Sequence, residues 1–467
     1  MNSDTKLNNF QFKPYSVLYE QLIIRCRTLY LFVILLAFVH ISIHPLPALR
    51  RVRNSYTNKI KELDNDEKDL FFVSAYYYGV GYSLYKNQVT LTFIAPRDAH
   101  WERRKIIAIR SDDTKTVLEP LQIHRATPHN LCKYVTLVGT IVLEEELTEL
   151  ELLVNGHTAK IRYLPADNKP KDLVVCTPPI YNNVRWQNVL LAAHVYTSFG
   201  GHLQTYVATT SRPFFEFLEE LKRLKGISVD SFPDFYGKSK LDGIEFGGVT
   251  VANSDCLNKY KSSGSFITFL EWSDLLVPKS FDSYFSEFAN YYESEIFVGL
   301  LEYRNERGVA KVVTRPSLID SVWLNEPVEH PYKLKSKQMD DSKIFEIPDS
   351  ADVDSMIRGN FTGGEALKSA DRVTIGMSIR KTITNPSITA ILGRLREDHS
   401  TIRCSKSFTT YYTDSNSLNC PGAHLCRNKA TKYKFSCVKS DLQFKLLKYN
   451  TNFYQLSSSK GFEKTFC

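Results

Sequence analysis

Glu271-Trp272-Ser273-Asp274 is the stretch of this sequence best suited to chemistry. It follows directly on the apolar run Phe266 to Leu270 (FITFL) and precedes Leu275-Leu276-Val277-Pro278. Carboxylates placed directly after a buried strand can hold a divalent cation on oxygen ligands, and such a cation neutralises a departing diphosphate. Glu271 and Asp274 are therefore candidate metal ligands in a metal-bridged sugar-nucleotide site. The spacing alone equally fits an ordinary loop in which Asp274 caps a turn. Downstream, Lys311 and Arg315 form a strand-end basic pair that faces either phosphate and sugar or solvent.

Other chemistries find less support. Cys404, Cys420, Cys426 and Cys437 lie near His424, but CPGAHLC holds its two cysteines too far apart for a zinc knuckle, so disulfides are the better reading. His194 and His202 flank a helical stretch and read as structural. The sequence contains no Gly-x-Ser-x-Gly elbow, P-loop or His-Glu-x-x-His, which removes the common hydrolase, NTPase and zinc-protease readings. With 59 basic against 51 acidic residues the formal charge is only +8, and no Lys/Arg block runs long enough to track a phosphate backbone. No nucleic-acid partner is expected.

The elements that must position Glu271 and Asp274 are legible on either side of them. Leu173 to Cys176 (LVVC) reads as a short buried strand, followed by the turn-rich Thr177-Pro178-Pro179. A helix follows in which Trp186, Val189, Leu190, Ala193 and Tyr196 share a face, closed by Gly200-Gly201. Leu203 to Ala208 is the next strand; Ser211-Arg212-Pro213 opens a second helix, and Gly226 ends it before the strand Ile227 to Val229. The pattern is βαβαβ, which implies an α/β fold with a mostly parallel sheet whose ligands sit outside the carboxyl ends of the strands. Val249 to Tyr260 is helix-like and leads into the strand before Glu271.

Upstream, residues 70–165 carry β-branched and aromatic runs separated by Asn, Asp, Gly and Pro, the signature of a β-rich subdomain. Residues 170–335 form the expected core, and residues 336–467 a cysteine-containing region that completes it. Near the N-terminus, Thr28 to Leu49 contains no charged residue and is fenced by Arg25, Arg27, Arg50, Arg51 and Arg53. It lacks the polar stripe of a buried soluble helix and reads as a transmembrane signal anchor over 28–49, with a cytosolic tail over 1–27 and a polar stem over 50–68. A cleaved signal peptide is the rival reading, set against the long segment ahead of the apolar run and the missing small residues at cleavage spacing. Flanking charge does not choose the orientation.

Cysteine usage does. Cys26 lies at the membrane edge, and an even set of eight follows, which permits full disulfide pairing in an oxidising lumen. The sequon Asn360-Phe361-Thr362 points to the same compartment and makes Asn360 a candidate glycosylation site.

Several pieces occur together in one order: LVVCTPPIYNN followed by RWQ, a helix ending in Gly-Gly, Asn253-Ser254-Asp255-Cys256-Leu257, FITFLEWSDLLVPKS, and Lys311-Val312-Val313-Thr314-Arg315-Pro316 with Asp320 and Trp323 beyond. In that order the chain, over roughly residues 70 to 440, resembles glycosyltransferase family 92. The resemblance implies a GT-A-like transferase domain, a type II Golgi topology, a UDP-sugar donor with UDP-galactose as the model, a manganese ion, and a glycan or glycoprotein acceptor. It places Asn253, Asp255, Glu271 and Arg315 at the donor and Glu271 and Asp274 at the Mn2+. Two positions depart from the family pattern. Ser273 stands where a metal-binding carboxylate is usual, and Asn325, in Trp323-Leu324-Asn325-Glu326-Pro327, stands where a histidine is usual. An inverting transferase is the leading expectation, with no base assigned; an inactive, membrane-anchored glycan-binding or interaction protein on the same fold is the alternative.

Overall fold

The structure is a computed structural model that describes residues 69–466 except 80–86, 102–105, 112–115, 144–148, 155–156, 182–183, 236–240, 242, 280–281, 295–297, 306–309, 330–334, 349–351, 359, 362–363, 396–419, 421–435, 449–451 and 458–460. Residues Glu67–Cys467 form one compact unit. The expected tail, anchor and stem lie outside the described residues. Among the described residues no helix is long and apolar enough to cross a membrane.

The segment after residue 69 is built of strands. β1 (Leu70–Tyr78), β2 (Gln88–Pro96), β3 (Gln122–Arg125) and β4 (Tyr134–Val142) pair antiparallel in the order β1-β2-β4-β3. β2 and β4 bury almost continuously, because the sheet is covered on both faces there. Strands Phe453–Leu456 and Phe444–Lys448 extend it beyond β1, the first of them parallel to β1.

The central sheet begins with β5 (Lys171–Cys176). After it come α1 (Trp186–Ser198), β6 (Gly201–Val207), α2 (Arg212–Lys225), β7 (Ser228–Ser231), α3 (Val249–Tyr260), β8 (Gly264–Phe269), β9 (Asp274–Leu276), α4 (Tyr284–Ser294), β10 (Val298–Asn305), β11 (Ala310–Thr314) and β12 (Lys335–Glu346). The order across the sheet is β7-β6-β5-β8-β11-β10-β12-β9. Its first four strands are mutually parallel, as alternation of strand and helix requires. Beyond β8 the sheet is mixed, not mostly parallel: β11 runs antiparallel to both β8 and β10, and β9 antiparallel to β12, while β12 is parallel to β10. The cause is the connection from Asn305 to Ala310, too short for a crossover, which folds β10 and β11 into a hairpin.

Period-two alternation in β5 sorts the two faces. Leu173 and Val175 join the core built by α1, α2 and α4, whereas Val174 and Cys176 join the core of α3 with Phe71 and Ile94 from the strand layer. α2 opens with Pro213 in its first turn and ends at Gly226, whose φ of 67° lies in the left-handed region. Gly248, at φ 83°, precedes α3; a Cβ there would meet the Phe235 ring at 2.5 Å, so only glycine lets the loop turn into this helix. A buried disulfide, Cys176–Cys256, ties the end of β5 to α3, and Cys132–Cys420 ties the loop before β4 to the cysteine-rich region. Cys437 is also disulfide-bonded. Asn360 lies in a short strand, Asn360–Phe361, paired with Gly364–Glu365.

Candidate active site

Strand β8 ends in a tight reversal. Leu270 donates its N–H to the Cys176 carbonyl at 3.0 Å, holding the chain level with the end of β5; then Asp274 N–H bonds the Glu271 carbonyl at 3.0 Å and closes a turn. The turn is pinned from several sides. Trp272 is buried, Ile347 N–H donates to the Ser273 carbonyl at 2.8 Å, and the Tyr196 hydroxyl donates to the Asp274 carbonyl at 3.2 Å. From Asp274 the chain enters β9, whose three residues are all buried. Glu271 and Asp274 thus stand outside the carboxyl end of a parallel strand, where the sheet changes from parallel to antiparallel pairing.

The two carboxylates differ. The Asp274 side chain, 4% exposed, turns back on its own loop: Oδ2 accepts from the Glu271 N–H at 3.2 Å and lies 3.3 Å from Lys311 Nζ. Lys311 is itself buried, at the start of β11, and the antiparallel register Ile267↔Thr314 and Thr268↔Val313 carries it alongside the end of β8. Burial alone would pull the Lys311 ammonium down, but the carboxylates of Asp274 and Glu271 outweigh it and hold the group above the ordinary lysine range. Burial raises the Glu271 carboxyl above its usual value, Lys311 opposes that, and the like charge of Asp274 adds to it. Glu326, exposed on the hairpin after Trp323, also contributes to the field at Lys311.

A divalent cation fits this corner poorly. Asp274, offered by the sequence as a metal ligand, is held by an ammonium and a backbone N–H, and Ser273 brings a hydroxyl where a carboxylate would be needed. Among the described residues no three His, Cys, Asp or Glu side chains converge as a metal cluster.

The other expected donor residues lie apart. Arg315 is exposed, with its guanidinium 4.8 Å over the Tyr292 ring, at the far end of β11 from Lys311. At ~3.3 Å per strand residue the two are roughly 13 Å apart. Asp320 shares that far end, where it pairs with Lys261 at 2.6 Å. Asn253 donates its amide to the carbonyl of Leu324, a residue in the left-handed region at φ 55° in the turn that also carries the buried Asn325.

Asp255 opens onto a cleft of about 530 Å³ between α3, the ends of β6 and β7, and β1. Its carboxylate accepts from the Tyr206 hydroxyl at 2.7 Å and the Tyr76 hydroxyl at 3.2 Å, and burial pushes its pKa up against the pull of Tyr206. Lys259 pairs with Asp230 at 2.5 Å on the same wall. This cleft was not foreseen; the phenols that make it come from β1 and β6, which meet only in the fold. A second unforeseen network holds buried Glu245, which accepts from Thr127 Oγ1 at 2.8 Å and Trp323 Nε1 at 3.1 Å and pairs with His129 at 2.8 Å. Both histidines read as structural are so placed. Buried His194 is pushed down to about 3 by desolvation, and His202, bonded to Ser228 at 2.9 Å, down to about 4 for the same reason.

The sequence pattern of glycosyltransferase family 92 matches residues 171–309, the span from β5 through β10 that contains the Glu271–Asp274 turn. Over that span the chain is similar to glycosyltransferase family 92. Two proteins of that family from Caenorhabditis elegans are 24% identical over 432 residues (78% of this chain and 84% of the relative) and 23% identical over 423 residues (76% and 82%). A third, also from Caenorhabditis elegans, is 29% identical over 248 residues, half of this chain and 47% of its own. Among solved structures, S. aureus TarS 1–349 aligns at TM-score 0.26 and 11% identity over 48% of this chain and 75% of its own. The same protein in complex with UDP aligns at 0.25 and 10%, over 50% and 79%. At those scores the likeness bears no weight. The match over residues 171–309 and the relatives aligned over most of their length support a glycosyltransferase.

Proposed function

We propose that this glycosyltransferase moves a hexose, with galactose as the leading candidate, from a UDP-sugar onto a glycan or glycoprotein acceptor, from a type II position in the Golgi membrane. The observation that carries the reading is the Glu271–Asp274 turn. It stands at the carboxyl end of β8, at the switch point where an α/β sheet takes its ligands, and inside the span matched to the family. The uncharged run before residue 50 and the sequon at Asn360 support the lumenal placement. In an inverting displacement the acceptor hydroxyl attacks the anomeric carbon, yields its proton to a carboxylate, and the UDP leaves from the opposite face. Glu271 is the carboxylate on which this reading rests. Unlike Asp274, it has no side-chain hydrogen bond or ion pair among the described residues, and its raised pKa suits proton traffic. No divalent ion enters the scheme, because the residues of the turn do not fit one.

The test is transfer from UDP-galactose to a panel of glycans by the full chain in detergent. Glu271→Ala is expected to lower turnover by about 100-fold or more, within the range of a general acid–base contribution. Full activity in that variant sinks the assignment. A second reading, a glycan-binding protein on a transferase fold, is favoured by Ser273 and Asn325, which replace two polar groups common in the family. It predicts glycan binding with no release of UDP from any donor.

A further inference from the structure

The side chains around Glu271 balance charge within the protein itself. A divalent cation held on oxygen needs several anionic or carbonyl ligands converging on one point, and a fixed positive charge inside that shell opposes it. Here the positive charge is already built in. Lys311 Nζ lies 3.3 Å from Asp274 Oδ2, with Lys311 and Asp274 both almost wholly removed from solvent, at 4% exposure each. The same Asp274 oxygen accepts the Glu271 N–H at 3.2 Å, so the carboxylate is spent on its own turn. Ser273, in the same turn, carries only a hydroxyl, a weaker ligand than a carboxylate. Lys311 also lies in the field of Glu271 and Glu326.

We propose that Lys311 is the fixed cation of this corner: its ammonium takes the charge-balancing place of a divalent ion, and the protein handles its nucleotide-sugar without metal. The second half rests on the proposed UDP-sugar donor; the first does not, and it is tested first. Mn2+ is titrated into the full chain in detergent and the free-ion signal is followed by electron paramagnetic resonance. The wild type is expected to leave that signal undiminished up to about 1 mM, the weak end of oxygen-ligand sites. Micromolar binding that Glu271→Gln or Asp274→Asn abolishes overturns the proposal; binding that neither variant changes lies elsewhere and leaves the corner closed, in its support. Lys311→Gln removes the charge and leaves the carboxylates facing one another. It is expected to gain a Mn2+-dependent rise in melting temperature that the wild type lacks, and a folded variant without that gain overturns the role given to Lys311. Should Lys311→Gln fail to fold, the wild type and Glu271→Gln decide the matter between them.

Calorimetry with UDP then tests the second half. Affinity within about twofold in EDTA and in Mn2+ supports it, and affinity about tenfold or more tighter in Mn2+ and dependent on Glu271 overturns it. UDP binding under neither condition refutes the donor reading and with it this half, while the Mn2+ titration still decides the first.

Discussion

The Glu271–Asp274 corner and the Asp255 cleft lie on the same sheet and both combine lysine with carboxylates, yet they handle charge in opposite ways. At the corner a lysine and an aspartate, both buried, meet at 3.3 Å, and the geometry leaves little for solvent to do. At the cleft the Lys259–Asp230 pair is partly open, and Asp255 is satisfied by two phenols around about 530 Å³ of space. A buried pair is costly to break because the survivor is left charged in a poor solvent, whereas an open pair is screened and worth little. The corner is therefore a rigid fixture, and the cleft is the place where side chains can rearrange.

The largest expected effect tests that rigidity. Lys311→Met strands Asp274 and should cost about 3–5 kcal/mol in chemical denaturation, and Lys311→Met with Asp274→Leu should recover most of it. A loss below about 1 kcal/mol would put the corner in the same class as an open surface pair and break the contrast. Next comes the Cys176–Cys256 bridge, whose sequence separation is 80 residues and which touches both regions, since Cys176 holds the chain before the turn and Cys256 adjoins Asp255. Replacing both cysteines by alanine should cost roughly 2–4 kcal/mol and lower the protection of α3 amides in hydrogen exchange. Tyr206→Phe removes one donor from the Asp255 carboxylate and should cost about 1 kcal/mol, less than any change at the corner.

The smallest effect is a matter of pH. Because burial raises the Asp255 pKa in the folded state above the ordinary aspartate value of 3.8, the folded protein holds that proton more tightly than the unfolded chain. The associated stability is complete below the unfolded value and is lost as pH rises through the folded one. Asp255→Asn should therefore flatten the fall in unfolding free energy over that acidic window, measured by denaturation at a series of pH values. Parallel profiles for variant and wild type would mean that Asp255 titrates as a solvated surface group does.

Much of this was legible in the sequence where the signal is local. The strand at Leu173, the helix ending at Gly226 and the helix Val249–Tyr260 each carry their own punctuation or periodicity, and each is where the residues put it. β12 was not legible. Its sequence KSKQMDDSKIFE reads as polar loop, and it becomes a strand because β10 and β9 supply backbone partners on either side. The mixed half of the sheet was missed for a related reason: a hairpin between β10 and β11 reverses direction without any crossover helix to announce it. At the site, the turn could be found from two carboxylates after an apolar run, but the partner of Asp274 could not. Lys311 reaches it through strand register, and register is a property of the folded sheet.

The pairing of Phe453–Leu456 with β1 carries a consequence for synthesis. The first strand of the layer cannot gain this neighbour until residues 453–456 have been made, so the sheet begun at Leu70 waits on residues almost 400 positions later. Contacts of such sequence separation are slow to form, and the exposed edge of β1 is in the meantime a surface on which other nascent chains can pair. The protein should thus depend on folding assistance late in its production, and a chain truncated before residue 453 should fail quality control even with every residue of the Glu271 corner intact.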